Sequence, residues 1–261
     1  MLTETDYDKL LHLMEENPEN KALLQRLLDS QAETLRIISH EIRNPLTLVY
    51  STIQLIEHQH PEVTGYRHWD SLKKDTEYMQ QLLDELSSFN NGSKLTVSSF
   101  SLSALLKQIA VSYAASLADT DIEFTSYIAP DLPSIEGDSV KLKEVILNLL
   151  RNAADAVDNR STDKRVHLFA ACDISSGQIL LKIQDSGCGI PKEHLSDIFT
   201  PFVTYKQGGT GLGLAITDRI VTAHHGKISV ESMPDAGTTF TIILPQHQVR
   251  KTPPLKNIDE L

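Results

Sequence analysis

The sequence predicts an α+β protein in two parts. An N-terminal antiparallel helical hairpin dimerises into a four-helix bundle, and an α/β sandwich follows it. Three observations carry this. Two apolar rows with gaps of three and four residues are separated by a short break marked by Pro61 and Gly65. After residue 93 the pattern changes to short strand-like runs interleaved with capped helices. Hydrophobic content of 40% over 261 residues is low for a globular chain, as expected where part of it is a thin bundle with little core.

In order, residues 1–18 are mixed and charged, and read as a short helix ending near Asn17-Pro18. The first long helix runs from about Glu19 to Glu57. Its apolar residues step Leu35, Ile38, Ile42, Leu46, Val49, Ile53, Ile56, close to a heptad. His58 to Gly65 interrupts, and a second row follows at Trp69, Leu72, Thr76, Met79, Leu83, Leu86 and Phe89. Asn90-Asn91-Gly92-Ser93 stops it. One hairpin buries too little apolar surface to stand alone, and pairing two into a four-helix bundle solves that, so residues 33–93 are expected to form a homodimer. Residues 1–32 form a lead-in and residues 94–99 a linker.

The sandwich is expected over residues 100–246. Ser101 caps a helix over 102–117, and Asp138 caps another that runs to Val157. Strands are predicted at 122–128, 166–172, 178–184, 228–232 and 238–244, with Gly211 opening a helix that Gly226 ends. Helices would cover one face of a mixed sheet. Residues 247–261 read as a loose tail.

Charge and composition exclude several classes. A net charge of -11 disfavours duplex nucleic acid or an anionic membrane as the main partner. No run of about 18 apolar residues exists and the acidic N-terminus is no signal peptide, so a cytoplasmic protein without a membrane span is expected. Cys172 and Cys188 form no metal or redox motif. His58, His60 and His68 cluster near the hairpin loop, where a solvated loop outweighs a metal site.

Four stretches carry chemistry. His40 sits two residues from Ile38 and two from Ile42, which turns it away from the apolar row. Glu41 is beside it and Asn44 one turn on, with Pro45 loosening the helix. An exposed imidazole next to a carboxylate fits a nucleophile. Glu144, Asn148, Asn152 and Asp155 form a polar stripe along one helix. Oxygens there suit a hard cation such as Mg²⁺, although a solvated polar face looks the same. Asp185-Ser186-Gly187-Cys188-Gly189 follows an apolar strand. A carboxylate there could accept from an exocyclic amine such as that of adenine, and an ordinary strand exit has the same pattern. Gly209-Thr210-Gly211-Leu212-Gly213-Leu214 opens a helix, where backbone N–H groups bind phosphates. It is not the Gly-Lys-Ser/Thr loop of the P-loop proteins. Between the last two lie Phe199, Pro201, Phe202, Thr204 and Lys206. The aromatics would anchor a mobile lid and Lys206 would reach a terminal phosphate, or stand as a solvated lysine.

In this order and spacing the stretches resemble the sensor histidine kinases of two-component systems, from about Glu33 to Pro245. His40 to Thr47 is similar to the phospho-acceptor box of that family. Asn148 and Asn152 resemble its N box, Asp185 to Gly189 its G1 box, Phe199 to Phe202 its F box and Gly209 to Leu214 its G2 box. The variant with Asn-Pro after the histidine is most similar to nitrogen-regulation and sporulation kinases. The resemblance implies a dimerisation and phosphotransfer bundle followed by a Bergerat-type ATPase domain, without a sensor domain upstream. ATP is the implied cofactor, bound by Asn148, Asn152, Asp185, Gly187, Gly189, Thr204, Lys206, Gly209, Thr210, Gly211, Leu212 and Gly213. Asn152, with Asn148, would hold Mg²⁺. His40 would take the γ-phosphoryl group, with Glu41 fixing its tautomer, and pass it to an aspartate on the receiver domain of a response regulator. Asn44 could orient water for dephosphorylation of that partner. The input would arrive through an upstream sensor protein, the N-terminal helix or the nucleotide. Two rivals remain: a non-catalytic dimeric phosphorelay or scaffold module, and another ATPase of the same fold, which would lack a His40-type box.

Overall fold

Why the hairpin forms is visible in a single repeat. In the computed structural model, which describes residues 18–158, 163–173, 177–206 and 208–247, Ser39, Leu46 and Ile53 are buried at intervals of seven on helix α1 (Pro18–Gln59). Thr76, Leu83 and Asn90 are buried at the same interval on α2 (Trp69–Asn91). The helices pack on each other, and a 3₁₀ turn at Pro61–Gly65 joins them. Cross-links fix an antiparallel register. Arg43 Nη2 donates to the Leu83 carbonyl at 3.2 Å and pairs with Asp84 at 2.8 Å. Tyr50 donates to Glu77 at 3.0 Å, and Glu57 accepts from Trp69 Nε1 and Lys73 Nζ at 3.0 and 2.9 Å.

This differs from the expected seam. Leu46 and Ile53 point inward, but Leu35, Ile38, Ile42 and Val49 on α1 and Leu72 and Met79 on α2 are exposed. Two helices can cover only a narrow strip of each other, so the wider apolar stripe splits into a covered row and an open one. Ser39 belongs to the covered row. Its hydroxyl donates to the Leu35 carbonyl at 2.7 Å, and Thr76 does the same to Leu72 at 2.7 Å, so neither burial leaves a hydroxyl unpaired. Pro45 has no N–H to offer the Glu41 carbonyl, yet α1 continues through it.

Residues 92–247 form the second unit. Five strands lie in the order β2-β4-β5-β7-β6, where β2 is Glu123–Ile128, β4 Arg165–Asp173, β5 Gln178–Asp185, β6 Lys227–Met233 and β7 Gly237–Pro245. Among the described strands only the β2/β4 pair is parallel, joined through the helix Ser139–Asp158. Short connections make the β4/β5 and β6/β7 hairpins, and the long segment that carries the lid and the helix Gly213–Ala223 leads from β5 to β6, so that β7 returns antiparallel beside β5. Alternate residues Val166, Leu168, Ala170, then Ile179, Leu181, Ile183, then Phe240, Ile242, Leu244 are buried on one face. That face carries α3 (Leu102–Ser116), α4 (Ser139–Asp158) and α5 (Gly213–Ala223), as the sequence predicts for a mixed sheet.

Two short strands escaped prediction. β1 (Ser98–Ser101) pairs antiparallel with β3 (Ser134–Gly137), so Ser98 and Ser99, expected in the linker, are strand residues. Four residues are too few to show an alternation. The expected caps are present. Ser101 Oγ accepts from Ala104 N at 3.2 Å, and Asp138 Oδ1 accepts from Val140 N and Lys141 N, both at 3.1 Å. Asp138 Oδ2 also accepts from Thr96 N at 2.8 Å. Burial alone would raise the Asp138 pKa, but the three amide donors outweigh it and hold the carboxyl below its ordinary value. The helix expected before Asn17 and the tail from residue 248 on lie outside the described residues.

His224 and His225 follow the last residue of α5, where a cation would suit the helix dipole. His224 is instead buried, with Nε2 accepting from the Asp138 amide at 2.9 Å and Nδ1 donating to the Ile220 carbonyl at 2.8 Å. Those partners fix the neutral tautomer, and burial lowers the pKa. A folded pKa below the unfolded value of about 6.5 means the stabilisation is complete above that pH and is lost as pH falls through the folded value. The melting temperature is therefore expected to fall as the pH drops below about 6.5. His224→Gln should flatten that slope. An equal slope in both proteins would assign the loss to other groups.

Candidate functional site

The phospho-acceptor candidate lies on an exposed face. His40, Glu41 and Asn44 are all exposed on α1, on the side away from the covered Ser39 row. Arg43 between them is tied down by Asp84 and the Leu83 carbonyl, which anchors the turn that presents His40.

Asp185 is placed by strand alternation. It continues the buried row Ile179, Leu181, Ile183, and its cross-strand neighbours are Val166 and Thr238. A carboxylate thus ends an apolar row and is itself buried. Its Oδ1 accepts from the amides of Gly187 at 2.9 Å and Thr238 at 3.2 Å. Burial pushes its pKa up, and these two donors together with the charge of Lys206 only partly offset this.

The loop after Asp185 is wedged between two elements. A Cβ on Gly187 would lie 2.5 Å from the Ala156 carbonyl near the end of α4, and the Cys188 amide donates to that carbonyl at 3.2 Å. On the other side, Gly189 has φ +66 and a Cβ there would lie 1.9 Å from the Met233 oxygen. Ile190 N donates to Ser232 Oγ at 2.8 Å, and Asp235 N to the Cys188 carbonyl at 2.8 Å. Ser232 and Thr238, which support the loop from β6 and β7, were not foreseen, because strand register is not written in one strand alone.

The α4 stripe is brought to the lid only at one end. Asn148 Oδ1 accepts from Arg151 Nη2 at 2.9 Å. Asn152 Oδ1 accepts from Lys206 Nζ at 2.9 Å, and Lys206 also lies 3.2 Å from Asp155 Oδ2. Thr204 Oγ1 accepts from the Lys206 amide at 3.2 Å. Of the two aromatics expected to anchor this segment, Phe199 does so, edge-on to Phe240 at 6.4 Å, whereas Phe202 is exposed with φ 66. The Phe202 amide donates to the Gly211 carbonyl at 3.0 Å, so it anchors through its backbone. Tyr205, next to Lys206, stacks on His194 with ring centroids 3.7 Å apart.

The glycine-rich run also differs in detail. Gly213, not Gly211, is the first residue of α5. Gly211 has φ +72 in the turn before it, and a Cβ there would lie 2.6 Å from Phe202 backbone. Thr210 Oγ1 accepts from Leu212 N at 3.3 Å, which closes the turn, and Leu212 is buried. Gly209 packs on Thr204, where a Cβ would lie 2.5 Å from Oγ1.

Two stretches of the chain match known families. Residues 30–92 match the family described as "His Kinase A (phospho-acceptor) domain". Residues 137–248 match "Histidine kinase-, DNA gyrase B-, and HSP90-like ATPase". The chain belongs to the histidine kinases. Similar histidine kinases include the signal transduction histidine-protein kinase AtoS of Escherichia coli, 33% identical over 218 residues, which are 84% of this chain and 35% of AtoS. Sporulation kinase B of Bacillus subtilis is 32% identical over 253 residues, 90% of this chain and 55% of that protein. Full-length ShkA, solved in complex with AMPPNP, superposes with a TM-score of 0.69 at 25% identity, over 82% of this chain and 45% of ShkA. The chain therefore spans between about a third and a half of the length of such relatives. The catalytic domain of histidine kinase ThkA covers 58% of this chain with a TM-score of 0.52 at 27% identity.

Within this histidine kinase, no described helix is long and apolar enough to cross a membrane. His60 near the hairpin loop pairs with Glu62 at 3.1 Å, and His58 and His68 are exposed. No three His, Cys, Asp or Glu side chains among the described residues converge on a common point. Cys188 is exposed in the loop after Asp185.

Proposed function

We propose that the chain is an ATP-dependent protein histidine kinase that phosphorylates its own His40 and passes the phosphoryl group to an aspartate of a response-regulator receiver domain. The observation that carries the proposal is Asp185. It is a buried carboxylate whose Oδ1 is committed to two backbone amides, at the mouth of a loop where glycines at 187 and 189 let backbone come within van der Waals reach. That leaves Oδ2 to accept a hydrogen bond from the exocyclic amine of adenine. The run Gly209, Thr210, Gly211, Leu212 and Gly213, which leads into α5, would supply backbone N–H groups to the phosphates, with the Gly209 and Leu212 amides leaving the Lys206 carbonyl and Thr210 Oγ1 that hold them here. Thr204 and Lys206 lie on the lid beside them.

The residues present fit Mg²⁺. A cation already occupies the position in this structure, because the Lys206 ammonium rests on Asn152 Oδ1. Asn152 would hold the metal through that oxygen, and Asn148 is one turn away on α4. A hard ion that keeps phosphate and water oxygens needs few protein donors. When bound it neutralises charge on the transferred group. His40 in its neutral form supplies a ring nitrogen lone pair to phosphorus as the bond to the ADP oxygen breaks. Glu41 accepts the hydrogen bond of the other ring nitrogen and stabilises the imidazolium that forms. Asn44 is exposed one turn away and could orient water toward a phosphorylated regulator, which would add a phosphatase activity.

The open apolar row supports a homodimer through residues 33–93. Leu35, Ile38, Ile42, Val49, Leu72 and Met79 are exposed on the hairpin, and a second hairpin would cover them. The net charge of -11 disfavours nucleic acid as a partner, and the proposed site of action is cytoplasmic, with the signal entering from an upstream sensor protein. The test is incubation with γ-labelled ATP and Mg²⁺. An acid-labile, alkali-stable label is expected, and His40→Gln should reduce it to background while leaving nucleotide affinity within about twofold. No label in the wild-type chain would sink the proposal.

A further inference from the structure

Lys206 is held from three directions. Its Nζ lies 2.9 Å from Asn152 Oδ1, 3.4 Å from the Asn152 carbonyl and 3.2 Å from Asp155 Oδ2. The residue before it, Tyr205, stacks on His194 with ring centroids 3.7 Å apart and an interplanar angle of 21°. The lid is therefore fastened at two neighbouring residues on opposite supports, one on α4 and one on the 3₁₀ turn Lys192–His194. An exposed lysine–carboxylate pair alone is worth little. Here the ammonium takes three oxygens, and the stacking of Tyr205 already restricts the backbone that carries it. The entropy lost on ordering Lys206 is correspondingly smaller.

The atom that Lys206 occupies is the one the nucleotide's metal needs. Asn152 has a single side-chain oxygen, and an ammonium and a divalent cation cannot both sit within about 3 Å of it without strong like-charge repulsion. We infer that Asp155 is a positioning residue that parks Lys206 on Asn152 as a tethered stand-in cation, so that the lid is clasped before nucleotide binds and Lys206 is released toward the phosphates when metal and nucleotide arrive. The inference rests on the ATP-binding reading of this site. It adds Asp155, which takes no part in holding nucleotide, and His194 with Tyr205 as the second fastening.

The experiment uses the full chain without nucleotide or Mg²⁺. Hydrogen exchange of the lid amides over residues 199–212 is compared in wild type, Asp155→Asn and Asp155→Glu. Asp155→Asn should exchange about two- to fivefold faster across the lid, with α4 amides unchanged, and Asp155→Glu should restore the slow rate. Raising the salt concentration should speed lid exchange in wild type and leave Asp155→Asn unmoved, because only an ion pair is screened. Unchanged lid exchange in Asp155→Asn overturns the clasp. So does a rise shared equally by α4, which would mean only that the helix end has frayed. The same preparations assayed with labelled ATP separate the two readings. A labelled chain with no lid effect sinks the clasp alone, and a lid effect with no label sinks the kinase reading alone.

Discussion

Asp185→Asn is expected to weaken nucleotide binding by about a hundredfold while leaving the melting temperature equal or higher. The two halves of this expectation have one cause. Oδ1 of Asp185 accepts from the Gly187 and Thr238 amides, so an asparagine must keep its own oxygen there. Its NH₂ group then takes the place of Oδ2 and meets the adenine amine donor to donor. A lost hydrogen bond to a charged acceptor, with a buried donor left facing a donor, is worth about 2–3 kcal/mol. Stability moves the other way. Burial raises the Asp185 pKa, so the ionised carboxylate is disfavoured in the fold at neutral pH. A raised folded pKa favours the native state at low pH, and that advantage is lost as pH rises through it. Replacing the ionised group by a neutral isostere removes this burden. A fluorescent ATP analogue and a thermal melt measure the two halves. A normal affinity, or a protein that melts several degrees lower, would contradict this role for Asp185.

That opposition between binding and stability explains which parts of the site could be read from residues alone. Asp185 was legible as a candidate because a carboxylate at the end of an alternating apolar strand breaks the pattern, although an ordinary strand exit looks the same. The same logic exposed His40, whose face of α1 cannot be the packed one. Caps at Ser101 and Asp138 were legible because the cap is local, one side chain satisfying the next amides along the chain. What depends on two distant segments meeting was not. Ser39 is buried although it is polar, because its hydroxyl is satisfied inside its own helix and α2 happens to cover it. His224 is neutral because an amide 86 positions away in sequence donates to it. Lys206 could be read as a phosphate ligand or a surface lysine, and its present partners Asn152 and Asp155 follow from a fold contact that no spacing along the chain encodes.

Gly189→Ala should cost about 2–4 kcal/mol of stability and remove nucleotide binding together. Gly189 has φ +66, where an alanine Cβ is already strained. The neighbouring strand makes matters worse. The added carbon would sit 1.9 Å from the Met233 oxygen, a backbone atom in β6 that cannot swing aside as a long side chain can. Either the loop lifts off or the β6–β7 turn does. Both movements break the bonds from Ile190 N to Ser232 Oγ and from Asp235 N to the Cys188 carbonyl. They also reach Asp185, since Gly237 in that turn has φ +88 and packs so close to the Asp185 carbonyl that a Cβ there would lie 2.0 Å from it. Gly213→Ala is the matched control. Gly213 is the first residue of α5, has open space where an added methyl would sit and needs no positive φ, so alanine there should raise stability by about 0.4–1 kcal/mol. If its backbone approaches a phosphate, that same alanine should still weaken nucleotide binding. Thermal melts and nucleotide titrations of the two variants therefore separate a glycine required by the fold from one required by the ligand. A Gly189→Ala chain that melts with the wild type would contradict the wedge of this loop against β6.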